Sequence, residues 1–176
     1  MTERGAEPED VSSLLVAFAP RVYGLLLRMV GRPEVAEDLM QEAMMRAYRN
    51  RETYRAEGRF KAWIFRIAVN LARDWVRRRG RNPVTESDDP DAAAAGAVAD
   101  DPPPDALAMG RERARRVEAA MARLPQADRE VLLLRYYGGL AFKDIAESGG
   151  EPIGTVLARA HRALKKLGDL IPEEEP

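Results

Sequence analysis

Cysteine is absent from this 176-residue chain, and histidine occurs once, at His161. Disulfides, thiolate zinc sites and histidine clusters are therefore excluded, and the lack of cysteine fits a reducing compartment. No serine, threonine or lysine stands in a motif that pairs a nucleophile with a base, and no glycine-rich loop is built to cradle phosphate. The glycine pairs Gly138-Gly139 and Gly149-Gly150 close helical patterns and read as caps. The chain is thus expected to be no enzyme and to need no cofactor or metal. Strand-like alternation is missing throughout. No apolar run approaches the roughly 20 residues of a membrane span. The opening "MTERGAEPED" lacks the basic start of a signal peptide. These absences set the expectation of a cytoplasmic protein with no membrane insertion.

Net charge is also nearly absent, −1 from 28 basic and 29 acidic residues, but the signs are segregated. Residues 82–110 contain no Lys or Arg and hold Glu86, Asp88, Asp89, Asp91, Asp100, Asp101 and Asp105 among prolines and an "AAAAGAVA" run. Such a stretch buries no core and reads as a flexible acidic linker. It divides the chain into domains at 1–81 and 111–176. The expected fold class is all-α, two small helical domains joined by that linker.

The opposite charge gathers in "RFKAWIFRIAVNLARDWVRRRGR", Arg59 to Arg81, with eight Lys and Arg against one Asp. At about 100° per residue, Phe60, Ile64, Ile67, Ala68, Leu71 and Trp75 make a core face. Arg59, Arg66, Asn70, Arg73 and Arg77 make a second, narrow face, with Trp63 between the two. Solvated helix faces usually mix signs, and no acid balances this one. Cations, an amide and an indole in one row suit nucleic acid: charge for phosphates, an amide for base edges, a ring for unstacked bases.

Upstream, "DVSSLLVAFAPRVYGLLLRMVG" reads as a helix kinked at Pro20 and ended near Gly31. "RPEVAEDLMQEAMMRAYRNR" starts at Pro33, with acids near its first turn. Its apolar side is Val35, Ala36, Leu39, Met40, Ala43, Met44 and Ala47. The other side carries Asp38, Gln41, Glu42, Met45 and Arg49, where Met45 would be an adaptable apolar centre for a protein partner. Downstream, "DALAMGRERARRVEAAMARL" and "PQADREVLLLRYYGG" are helices. "AFKDIAES", "GGEP" and "IGTVLARAHRALKKLGDL" make a helix-turn-helix. In its last helix Val156, Ala160, Ala163, Leu164 and Leu167 form the buried stripe. Thr155, Arg159, Arg162 and Lys166 form a basic face beside it.

Four stretches in this order, "AEDLMQEAMMRAYRN", "FKAWIFRIAVNLARDWVRRR", "LPQADREVLLLRYYGGLAFKDIAE" and "GTVLARAHRALKKL", resemble the extracytoplasmic-function (ECF) sigma factors of bacterial RNA polymerase. The resemblance covers nearly the whole chain. It implies sigma region 2 and region 4 domains. It assigns Asp38, Gln41, Glu42, Met45 and Arg49 to core RNA polymerase, on the clamp helices of its beta-prime subunit. It assigns Trp63, Arg66, Asn70, Arg73, Arg77 and Arg78 to promoter DNA at the −10 element, with a non-template base captured near the preceding loop. Thr155, Arg159, Arg162 and Lys166 would read the −35 duplex, the linker would thread the RNA exit region, and an anti-sigma factor would restrain the protein.

The chain departs from the family pattern in its second half. Ala141 stands where a capping Ser or Thr is common, and Ser148, Gly149 and Glu151 stand where apolar residues are usual. Leu157 replaces a polar or basic residue and Ala158 a serine. The alternative class is a sigma-like decoy that binds an anti-sigma factor without promoter binding. The cationic faces on both domains argue against it, because a decoy has no use for them.

Overall fold

A computed structural model describes residues 11–54, 59–81 and 104–171. The expectations for the opening residues, the captured base near the loop at 55–58 and the linker at 82–103 lie outside them. The described residues contain helices and no strand. The chain divides into two compact units, Met1–Glu86 and Ser87–Pro176.

The first unit is a three-helix bundle in which α1 (Val11–Val30), α2 (Pro33–Arg49) and α3 (Phe60–Arg81) all pack on one another. α1 runs unbroken through Pro20. It is, against expectation, long and apolar enough to cross a membrane. Its apolarity serves the core: Val22, Leu25, Leu26 and Leu27 are all buried where α2 and α3 pack on it. Gly31 at φ 70 closes α1 and donates its N–H to the Leu27 carbonyl at 2.8 Å. This left-handed conformation favours glycine. α2 then starts with Pro33 in its first turn, and Ala36, Ala43 and Ala47 let its neighbours approach closely.

The core face of α3 is wider than periodicity alone suggests. Phe60, Ile64, Ala68 and Leu71 are buried as expected, and Phe65, Val69 and Ala72 are buried too, while Ile67 and Trp75 are only half-buried. Contact with both α1 and α2 is the reason. A ring cluster closes the start of α3. Phe18 and Tyr54 each meet Phe60 edge-on at 5.4 Å, and Trp63 lies 5.2 Å from Tyr54.

In the second unit, α7 (Ile153–Leu170) packs against α4 (Pro104–Ala122), α5 (Gln126–Leu132) and α6 (Phe142–Gly149). α4 begins at Pro104, so the last residues assigned by composition to the linker are helical. α5 continues as a π-helical turn over Leu133–Tyr137. Arg135 staples this turn to α6, with its guanidinium 3.0 Å from the Leu140 carbonyl and 5.0 Å above the Phe142 ring. Ala141 is the N-cap of α6, extended and with no side-chain capping bond, so the lost cap is real. Gly150 at φ 65 ends α6, and the Glu151 N–H returns to the Ala146 carbonyl at 3.1 Å. Val156, Ala160 and Ala163 are buried as expected. Leu164 is not: it is 42% exposed, on an apolar edge with Ile153 and Leu157.

Candidate nucleic-acid interface

On α3 the residues Arg59, Arg66, Asn70, Arg77 and Arg78 are exposed, and Arg73 is half-buried. Arg59, Arg66, Asn70, Arg73 and Arg77 lie along one side of the helix, away from the packed face, while Arg78 lies about 100° round from Arg77, in line with Phe60 and Leu71 but near the helix end. The expectation that no acid balances them is corrected by Asp74. Its carboxylate accepts a 2.8 Å hydrogen bond from Arg77, and its backbone carbonyl accepts one from Arg78 at 3.2 Å. The i, i+3 spacing makes this local pair available to any helix with that sequence. Trp63 is half-buried with its ring engaged by Tyr54 and Phe60, so its indole forms the wall of the aromatic cluster.

On α2 the polar side is arranged as the spacing suggests. Asp38, Gln41, Met45 and Arg49 are exposed and Glu42 is half-buried. Glu42 accepts a 2.6 Å bond from Arg46, and the Arg49 guanidinium rests 3.6 Å from the Met45 sulfur. Sequence reasoning missed Tyr48. Its ring is 50% exposed beside Met45, at 46%, and carries the Arg51 guanidinium 4.5 Å above it. Its position three residues after Met45 was the available signal.

The largest corrections concern α7. Arg159 was expected to reach outward, but it is half-buried. Its two terminal nitrogens donate to the two carboxylate oxygens of Glu151, at 2.7 and 3.0 Å. That hydrogen bonding raises the Arg159 pKa above its ordinary value. Glu151, the oddity in the turn, therefore replaces lost apolar packing with a forked ion pair. Lys166 donates to Asp128 on α5 at 2.6 Å, and Asp128 is buried. Thr155 and Arg162 are exposed, as are Gly154, Leu157, Ala158, His161 and Lys165. Lys166 stays exposed despite its pairing, so of the expected row only Arg159 is drawn in. Ile153, Leu157, Ala158 and Leu164 are exposed on α7 as well.

Comparison with known proteins bears on this arrangement. Sigma-70 region 2 matches residues 14–82, and Sigma-70 region 4 matches residues 114–167. The ECF RNA polymerase sigma-E factor of Haemophilus influenzae is 34% identical over 164 residues, covering 90% of this chain and 86% of the relative. The ECF RNA polymerase sigma factor SigW of Bacillus subtilis is 32% identical over 170 residues, covering 92% and 88%. Among solved structures, the sigma factor RpoE of Bartonella quintana, in complex with the anti-sigma factor NepR, shares the fold. Its TM-score is 0.74 at 24% identity, over 96% of this chain and all of that one. Both sigma regions match in chain order, and the relatives are this similar over most of both lengths, so the protein belongs to the ECF sigma factors of bacterial RNA polymerase.

Proposed function

We propose that this sigma factor binds core RNA polymerase through the exposed side of α2, holds the melted −10 strand on the cationic side of α3, and reads the −35 duplex with α6 and α7. The observation that carries this reading is the row of Arg66, Asn70 and Arg77, all exposed on one side of α3 while its other side is core, with Arg78 exposed near the helix end. A row of cations with one amide suits a strand whose phosphates face protein and whose bases are unpaired. Met45 and Tyr48, flanked by Asp38, Gln41 and Arg49, supply an apolar centre with a polar rim for the beta-prime clamp helices. An anti-sigma factor is the second expected partner. RpoE was solved with NepR, and CnrH, a match at TM-score 0.62, with the cytosolic domain of CnrY.

Adding the purified chain to bacterial core polymerase and mapping transcript starts tests the whole reading. We expect initiation at a defined promoter class, and loss of core association in Met45→Glu with helical circular dichroism unchanged. Transcript starts no different from those of core polymerase alone would overturn promoter function and favour the decoy. Wild-type core affinity in Met45→Glu would overturn the assignment of α2.

A further inference from the structure

We infer that Leu157 and Ala158 on α7 read thymine methyl groups in the −35 element, so that this sigma factor recognises part of its promoter by apolar contact. The inference rests on the proposed −35 role of α7. Internal pairing and exposure together carry it. Of the three cations on the basic row, Arg159 and Lys166 are paired with Glu151 and Asp128 within the unit. Between Ile153 and Arg162 the exposed residues of α7 are Ile153, Gly154, Thr155, Leu157, Ala158, His161 and Arg162, and Thr155 carries the only short polar side chain among them. The N-terminal residues of a recognition helix are the ones that meet base edges. Leu157 is 45% exposed and not needed by the core, which Val156 and Ala160 already fill.

Gly154 adds a separate observation. A Cβ built there meets nothing within 4 Å, so the fold does not require glycine at that position. A bare backbone at the start of α7 lets the helix enter a groove more deeply, which brings the short Ala158 side chain within reach of bases. Arg162 and Lys165, both exposed, flank the apolar pair and supply phosphate contacts. In the major groove the apolar feature is the C5-methyl of thymine, and Ala is among the side chains that contact it. A protein partner docking on the same residues is the competing occupant. The cations around the pair and the bare glycine favour DNA.

The test uses holoenzyme assembled from full-length chain and bacterial core polymerase. The −35 sequence is first selected from a randomised library, and each thymine is then exchanged for uracil, which removes only the methyl group. We expect one or two exchanges to weaken promoter use about fourfold each, the effect of one buried methyl. Leu157→Ala or Ala158→Gly should abolish that sensitivity at one position, and Leu157→Ala, being a change at the surface, should leave thermal unfolding unchanged. Strong −35 selection with equal use of thymine and uracil at every position would overturn the inference and leave the −35 role standing. No −35 selection at all would overturn that role, and this inference with it. Full methyl sensitivity in both variants would assign the reading to other residues and refute the inference.

Discussion

At the scale of single residues, the deciding fact is which cations are already neutralised. Arg66 and Arg77 both lie exposed on α3, but Arg77 shares its charge with Asp74. We expect Arg66→Ala to reduce the log–log salt slope of open-complex formation by about 0.7, one single-strand phosphate contact. Arg77→Ala should reduce it by less, and Asp74→Ala should increase it. Equal slopes in all four proteins, measured between low and physiological salt, would mean that this side of α3 is only solvated surface. The Glu151–Arg159 pair makes a second residue-scale case. It is forked and half-buried, which places it above the usual surface pair, but solvent still screens it. A double-mutant cycle with Glu151→Ala and Arg159→Ala should return a coupling of about 1 kcal/mol, read as hydrogen-exchange protection in α6 and α7. A coupling indistinguishable from zero would show the fork to be without energetic weight. Arg159→Ala alone should lower stability, because the side chain is tied to the turn.

At the scale of elements, α6 is a helix held by its neighbours more than by its own ends. It spans only Phe142–Gly149, with an uncapped N-terminus at Ala141. Helices this short are not stable alone. Ala141 is extended, the conformation a capping residue needs, so Ala141→Ser should add about 0.5–2 kcal/mol to the second unit in urea unfolding. No gain would mean that the hydroxyl does not reach the free N–H groups. The π turn before α6 sets a tighter limit. Gly138 follows Tyr137 with helical angles, but a Cβ on it would lie 2.7 Å from the Leu134 backbone carbonyl. Gly138→Ala should therefore destabilise the unit by about 1–3 kcal/mol. Gly154→Ala, where a Cβ meets open space, should cost nothing in stability. If the two substitutions have the same effect on the unfolding midpoint, close packing at the π turn is not what demands glycine.

At the scale of the whole molecule, the two units have separate cores, one centred on Leu25, Ile64 and Phe65 and the other on Leu134, Leu140 and Val156. The second unit presents few uncommitted cations on α7, so its −35 affinity alone should be weak. Tethering raises the local concentration of the second unit to the millimolar range when the first is already held. Cleaving the chain between residues 82 and 103 should leave both halves helical by circular dichroism. Dependence on the −35 element should be lost at micromolar concentrations of the second half and recovered as that concentration rises. Full −35 dependence at equimolar halves would mean that the second unit binds tightly by itself.

Periodicity and punctuation in the chain were enough for the helices, the two-unit division and the family. The apolar spacing, Pro33, Gly31 and the uncapped Ala141 are local features, and local features act through the backbone within a turn or two. The exposed side of α2 was legible for the same reason, and so was most of the cationic row on α3. Tertiary structure alone decided which cations of α7 are paired within the unit. The α7 pattern shows a basic row at Arg159 and Lys166, yet their partners stand 8 and 38 positions away in the chain, at Glu151 and Asp128. A hydrogen bond needs partners within about 3 Å, and only the packing of α5 and the turn against α7 brings them there. That packing pairs the two cations, while Leu157 and Ala158 stay exposed on the same helix.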